Sequence, residues 1–161
     1  MTIIRLTTQI KTPVKEVFDL ARSIDFHMVS ANKTKEKAIA GKTSGLIELG
    51  ETVTWRGLHF GIYLIHKSII TKYESPNNFT DEMVKGCFKF FKHQHIFYKT
   101  AFGTEMIDIL EYETPYGILG KLFDNLALKK HLTQFLSARN QSIKLYLESK
   151  NVVKSHHNNY L

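Results

Sequence analysis

The stretch FKFFKHQHIFYKTAFGTEMIDILEYE, residues 88–113, decides how this chain folds. It contains two runs of strand character on either side of a turn at residues 100–103, and successive side chains of a strand point to opposite faces. If the two runs pair as a hairpin, His95 lies opposite Asp108. One face then collects the side chains of Phe91, His93, His95, Phe97, Met106, Asp108, Leu110 and Tyr112.

The two faces of this hairpin differ in chemistry. The face with His95 and Asp108 is apolar apart from two histidines, one carboxylate and a tyrosine, whereas the other face carries lysine, glutamine and glutamate. Burying an ionisable group on a strand face costs free energy unless that group is paired. The pattern therefore predicts a ligand cavity with a His–carboxylate centre, without identifying the ligand.

The composition is that of one globular domain. The chain has 161 residues, of which 43% are hydrophobic and 12% aromatic, enough for a core of its own. We assign residues 1–150 to this domain and expect residues 151–161 to form a disordered tail. No apolar run approaches the roughly 20 residues of a membrane span, no signal peptide is recognisable, and a single cysteine excludes an internal disulfide. We expect a cytoplasmic protein.

The net charge of +7 invites a nucleic-acid or anionic-membrane interpretation. The 22 lysines and arginines are scattered, however, and their longest cluster is KTKEK at 33–37. No helix-turn-helix or aromatic RNA-binding signature is present, and the glycines lack the spacing of a phosphate loop. We predict no nucleic-acid partner, no integral membrane span and no cofactor, and the sequence leaves any protein partner unknown.

Periodicity and turn residues predict the order of elements. A strand at 2–10 is followed by one short helix after Pro13 and a second at about 24–31. A long helix at 117–149 closes the chain, with a bend near Lys129 and Lys130. Between them the glycine-bounded runs predict antiparallel strands at 36–40, 44–48, 51–59, 62–74, 79–85, 88–99 and 104–113. This is an α+β fold, a curved antiparallel sheet around a long C-terminal helix, which leaves a cavity between them.

This order, with particular phrases, resembles the START-like (SRPBCC) superfamily over about residues 3–148. The phrases are TPVKEVF at 12–18, TSGLIELGETVTW at 43–55, FTDEMVKGCFKFFKHQHIF at 79–97 and GTEMIDILEYETPYG at 103–117. The superfamily includes birch-pollen-allergen-like proteins, polyketide cyclases and dehydratases, and lipid-transport proteins. The resemblance implies a helix-grip fold with a hydrophobic pocket under the last helix, entered near that helix's first half. No catalytic motif of its enzymes matches here residue for residue.

We predict that the domain binds a small, largely hydrophobic molecule in this cavity, for transport or sensing. Asp81 and Glu82 are adjacent on one strand, so only one faces the cavity, and the length of the following turn leaves both open. The predicted ligand-binding residues are Trp55, Asp81, Glu82, Phe91, His93, His95, Phe97, Met106, Asp108, Leu110, Tyr112, Leu119 and Phe123.

Two other functions stay open. A cyclase or dehydratase acting on a polyketide-like or steroid-like substrate would use His95 as general acid and base, oriented by Asp108. An equally good interpretation is that the two residues form a structural pair in which each satisfies the other. A regulatory interaction module would have a vestigial pocket. His93 and His95 also offer two zinc ligands, but the third, Asp81 or Asp108, is conjectural, so no metal is predicted.

Overall fold

The computed structural model describes residues 1–157, with side chains for residues 1–150. Part of the predicted tail, residues 158–161, lies outside the described residues. The strands are β1 (Thr2–Ile10), β2 (Lys37–Gly41), β3 (Thr52–His59), β4 (Ile62–Glu74), β5 (Asn78–Lys85), β6 (Phe90–Thr100) and β7 (Gly103–Glu113). The helices are α1 (Val14–Ala21), α2 (Ile24–Ser30), α3 (Gly117–Phe123) and α4 (Lys129–His157), with a 3-10 turn at Asn32–Thr34 and a π-helical segment at Asp124–Leu128.

The strands form one seven-stranded sheet in the order β1-β7-β6-β5-β4-β3-β2, with every neighbour antiparallel. Strands β2 to β7 follow chain order, and β1 returns to pair with β7. The sheet curves around the C-terminal helix, so the predicted α+β helix-grip fold is confirmed. None of the helices among the described residues is long and apolar enough to cross a membrane.

The predicted register of the β6–β7 hairpin is confirmed. Its Cα partners are His95 with Asp108 and Phe97 with Met106, and Thr100 pairs with Gly103 across the turn. A Cβ at Gly103 would lie 2.2 Å from the carbonyl oxygen of Ile10, and the backbone there has a φ of +142°. The close approach of β1 to this turn therefore requires glycine.

The predicted strand at residues 44–48 is wrong. Only an isolated bridge joins Leu46 to Ser23. The backbone N–H of Ile24 donates to the carbonyl of Gly45, and the N–H of Ile47 donates to the carbonyl of Arg22. The segment thus satisfies its backbone against the junction of α1 and α2 instead of joining the sheet. At that junction Ser23 caps α2 by accepting a hydrogen bond from the N–H of Phe26.

The last helical region starts at Gly117, as predicted, but its irregularity lies earlier than expected. The π-helical segment Asp124–Leu128 separates α3 from α4, whereas the change of apolar stripe indicated a bend at Lys129 and Lys130.

Two buried clusters pack this region onto the sheet. One, with α1, includes Phe18, Phe97, Met106, Ile143 and Leu147; the other, under the start of α4, includes Ile4, Leu110, Tyr112, Leu132 and Leu136.

Candidate ligand-binding cavity

A cavity of about 770 Å³ lies between the concave face of the sheet and the first half of α4. Its wall on the sheet side comes from β3, β4, β5, β6 and β7, and its wall on the helix side from Leu128 to Arg139. At its mouth stand Phe60, Leu119 and Phe123, whose side chains are 49%, 74% and 45% exposed. A volume of this size suits a small organic molecule.

Eight of the thirteen predicted binding residues line this cavity. Strand alternation explains why those on β6 do so, since Phe91, His93 and His95 lie two residues apart on the concave face. The eight are Trp55, Asp81, Phe91, His93, His95, Leu110, Leu119 and Phe123.

Phe97 and Met106 share the predicted face but do not line the cavity. Both are almost fully buried and pack in the cluster with Phe18 of α1, and the rings of Phe97 and Phe18 meet edge to face at 5.5 Å. Alternation places a side chain on a face, but α1 covers this end of that face. Their assignment as ligand contacts is therefore corrected to core packing.

Tyr112 is a second correction. Its hydroxyl does not point into the cavity but donates to Oδ1 of Asp124 at 2.5 Å, while Thr2 donates to Oδ2 of the same carboxylate. Tyr112 is fully buried, and burial together with the hydrogen bond to Asp124 raises its pKa. The tyrosine thus anchors β7 to the π-helical segment where α3 passes into α4.

The register of β5 decides between Asp81 and Glu82. Asp81 pairs with His93 and lines the cavity, whereas Glu82 pairs with Lys92 on the convex face. Four residues, 86–89, connect β5 to β6, longer than the two-residue turn that would have turned Glu82 inward. Glu82 is therefore removed from the candidate site.

Asp108 is the centre of a buried polar group that we call the inner cluster, formed by Asp81, His93, His95 and Asp108. Oδ1 of Asp108 accepts a hydrogen bond from Nε2 of His93 at 3.0 Å and lies 2.8 Å from Nδ1 of His95. The His93 contact has hydrogen-bond geometry, while the His95 contact is close but poorly aligned. Asp108 itself is fully buried behind the two rings and does not line the cavity.

The C-terminal helix completes the surroundings of Asp108. Nδ2 of Asn140 donates to Oδ2 of Asp108 at 2.7 Å, and Nη1 of Arg139 lies 3.9 Å from Oδ1. Burial opposes ionisation of Asp108, yet its contacts with His93 and His95 outweigh burial and hold its pKa well below the usual value. Burial, aided by neighbouring His93, lowers the pKa of His95 to about 4.

A second His–carboxylate group, which sequence reasoning missed, lies along the same cavity. This mouth cluster comprises His27 of α2, Glu36 before β2, His59 at the end of β3 and His131 of α4. Nε2 of His27 lies 2.5 Å from Oε2 of Glu36, and Nε2 of His59 lies 3.4 Å from Oε1. Nδ1 of His59 and Nε2 of His131 are 2.9 Å apart, which links the sheet to the helix.

The electrostatics of the mouth cluster follow from burial and from these contacts. Burial works to raise the pKa of Glu36, but hydrogen bonds from His27 and His59 outweigh it and lower the pKa to about 2. Burial also lowers the pKa of His131, and His59 adds to that effect. The ring of His27 stacks on Trp55 at 4.1 Å, so this cluster also fixes the position of a cavity-wall aromatic.

No local pattern in the sequence predicts this cluster, because its members come from four separate segments of the chain. Glu36 stands within KTKEK, where the neighbouring lysines indicate a solvent-exposed segment. Alternation places His59 correctly on the face of Trp55, but nothing local connects it to His131. These residues come together only in the folded structure, where the sheet packs against α4.

No protein-family model and no curated protein sequence matches this chain. Among solved structures, TTHA0849 from Thermus thermophilus superposes with a TM-score of 0.70 at 17% identity, over 88% of this chain and 97% of that one. Major latex-like protein 151 from Panax ginseng gives 0.64 at 15% identity, over 91% and 97%. Ara h 8.0201 gives 0.65 at 9% identity, over 92% and 98%. At these identities the likeness shows the fold alone, the helix-grip fold described above.

Proposed function

We propose that this protein binds a small, largely apolar molecule in the cavity between its sheet and C-terminal helix. The observation that carries the proposal is a space of about 770 Å³ whose walls are mostly aliphatic and aromatic and whose inner end is polar. Apolar walls with a few convergent polar groups are the usual makeup of small-molecule sites.

The polar end supports a ligand with one hydrogen-bonding group. His93, His95 and Arg139 reach the cavity from the sheet and from α4, and Nη1 of Arg139 is buried without a hydrogen-bond partner among the described residues. An unpaired buried donor costs free energy that a ligand oxygen would recover. The chain of the ligand would then extend along Leu110 and Leu136 toward the mouth.

The exposed side chains at the mouth support entry there. Ile118, Leu119 and Leu122 of α3 are 85%, 74% and 55% exposed, and the π-helical segment interrupts the regular helix directly after α3. Movement of α3 would therefore open the cavity without disturbing the cluster around Phe18.

The two other functions predicted from the sequence stay predictions. A vestigial pocket is disfavoured because side chains leave the volume open. A cyclase or dehydratase would need its acid/base group against the substrate, and both His93 and His95 line the cavity, but Asp108 also satisfies them structurally. Binding requires the fewest assumptions and is the function that the geometry supports best.

The chain's single tryptophan, Trp55, makes the proposal testable because it stands in the cavity wall. We expect parinaric acid, a polyene fatty acid that accepts energy from tryptophan, to quench Trp55 emission and saturate at about one molecule per chain. Palmitic acid, a sterol and an aromatic polyketide would then be ranked by displacement. Absence of saturable quenching, together with no binding of any member of this panel, overturns the proposal.

Ser68→Phe and Ser44→Phe separate cavity binding from surface binding. Ser68 is buried on β4 and lines the cavity, whereas Ser44 is exposed in a loop and does not. A phenyl ring at position 68 fills part of the volume, so we expect affinity to fall by about tenfold or more, equivalent to about 1.4 kcal/mol. Ser44→Phe should bind like the wild type. Equal affinities for all three proteins would place the ligand outside the cavity, and thermal melts would verify that Ser68→Phe is folded.

A further inference from the structure

We infer that Asp81, His93 and His95 form a binding site for a divalent first-row transition-metal ion, such as Zn²⁺, at the inner end of the cavity. Each of the three offers one ligand atom, and these atoms lie within 4.8 Å of one another. The sequence alone predicted no metal, since it did not locate a third ligand. The pairing of Asp81 with His93 across β5 and β6 supplies it.

The orientation of the two imidazoles supports metal binding. The carboxylate of Asp108 can only accept hydrogen bonds when ionised, and it faces Nε2 of His93 and Nδ1 of His95. The ring of His93 therefore directs its Nε2–H toward Asp108 and keeps a lone pair on Nδ1, while Nδ1 of His95 lies 2.8 Å from the same oxygen. A carboxylate behind a histidine ligand is the usual support in metal sites, where it fixes the tautomer and raises ligand basicity. Here one carboxylate serves two histidines.

Packing holds these rings in place before any ion arrives. The ring of His95 stacks on Phe79 at 4.2 Å, and the centroids of His93 and His95 are 3.9 Å apart. Asn140 holds the second oxygen of Asp108 from α4. The histidine half of the site is therefore preorganised, which lowers the cost of binding.

The charge and hydrogen bonding at this end of the cavity also favour a cation. The carboxylates of Asp81 and Asp108 both lie within 4.0 Å of the His93 ring, and one guanidinium, that of Arg139, lies 3.9 Å from Asp108. Oδ2 of Asp81 is buried without a hydrogen bond among the described residues, and Nδ1 of His93 lies 4.0 Å from it. A divalent ion would satisfy this oxygen and balance the charge.

Binding an ion requires the three ligand atoms to move slightly closer together. Nitrogen and oxygen ligands bind Zn²⁺ at about 2.0–2.2 Å, so ligand atoms around a tetrahedral ion lie roughly 3.4 Å apart. The side chain of Asp81 is 21% exposed and has room to turn toward His93. Three protein ligands leave at least one coordination position open to the cavity, as in zinc sites that bind water or a substrate oxygen. Metal binding by these three residues does not require an apolar ligand in the cavity.

The test is a Zn²⁺ titration of tag-free, chelator-treated protein against a zinc-binding dye, with Co²⁺ absorption as a second readout. We expect about one ion per chain and a Co²⁺ spectrum typical of a four- or five-coordinate site. Asp81→Asn should lower the affinity by roughly 100-fold, and Asp108→Asn by about 10–100-fold. Asp81→Asn removes no hydrogen bond within the described residues, so its fold should survive even if that of Asp108→Asn does not.

Two comparisons separate this site from other histidines. His131→Gln alters the mouth cluster and should leave the Zn²⁺ affinity unchanged. Replacing His156 and His157 removes the adjacent histidines near the C-terminus and should also have no effect. Failure of the wild type to bind either ion, or wild-type affinity in Asp81→Asn, overturns the inference. A loss of binding on replacing His156 and His157 would assign the ion to the C-terminus and overturn it as well.

Discussion

The inner cluster and the mouth cluster are built from the same chemistry, histidines around a carboxylate, but in different ways. In the inner cluster, three members lie on one hairpin, β6–β7, and Asp108 is fully buried. In the mouth cluster, Glu36 bridges α2 and β3, and His59 extends the contact to α4. The first cluster is a rigid part of the sheet, whereas the second exists only while sheet and helices stay together. Substitutions in the inner cluster should therefore lower the stability of the whole domain, whereas substitutions in the mouth cluster should weaken the attachment of α4.

The largest effect is expected at Asp108. Asp108→Ala removes the buried acceptor of the hydrogen bonds from His93 and Asn140 and the carboxylate beside Nδ1 of His95, so we expect the free energy of unfolding to fall by about 3–5 kcal/mol. Urea denaturation measures it. Asp81→Ala is the matched control, because Oδ2 of its side chain has no hydrogen bond within the described residues and Nδ1 of His93 lies 4.0 Å from it, and it should change stability by less than about 1 kcal/mol. Equal losses in the two variants would contradict a special role for Asp108.

Glu36→Gln should have the next largest effect, and one that depends on pH. The pKa of Glu36 is lowered to about 2 from its ordinary value of 4.5, so the ionised form stabilises the fold above pH 4.5. We expect a loss of about 2–3 kcal/mol near neutral pH. As the pH falls from 4.5 toward 2, the carboxylate of the wild type becomes protonated and the difference between the two proteins should shrink.

The measurement for Glu36 is a series of urea denaturation curves across this pH range. Glu16→Gln, an exposed carboxylate on the first turn of α1, is the control and should give a small difference with little pH dependence. A Glu36→Gln difference that stays constant or grows on acidification would show that the ionised carboxylate does not stabilise the fold.

His131→Ala should have the smallest effect on stability. It removes the contact between Nε2 of His131 and Nδ1 of His59, and a single hydrogen bond contributes about 0.5–1.5 kcal/mol. Because this contact joins β3 to α4, hydrogen exchange should quicken in the first turns of α4 and not in β6 or β7. Gln134→Ala, at an exposed position on the same helix, should change neither. Faster exchange in β6 instead would show that the two clusters are not independent.

The two clusters also differ in how well local sequence patterns predict them. Period-two alternation within residues 88–113 is local, so it correctly paired His95 with Asp108 and turned both histidines inward. Alternation gives a face but not a position along the cavity, and that is why Phe97, Met106 and Tyr112 were misassigned. The choice between Asp81 and Glu82 required the length of one loop. The contacts of Glu36 join distant segments, and no local pattern encodes them.

The most direct test of ligand binding in this cavity is the position of the ligand. In a protein with labelled leucine methyls, bound palmitic acid should give intermolecular Overhauser effects to Leu110 and Leu136, which line the interior. It should give none to Leu126, which is exposed and does not line the cavity. Overhauser effects confined to Leu122 and Leu126, with none to the interior methyls, would show that the apolar molecule rests on the outside and would contradict cavity binding.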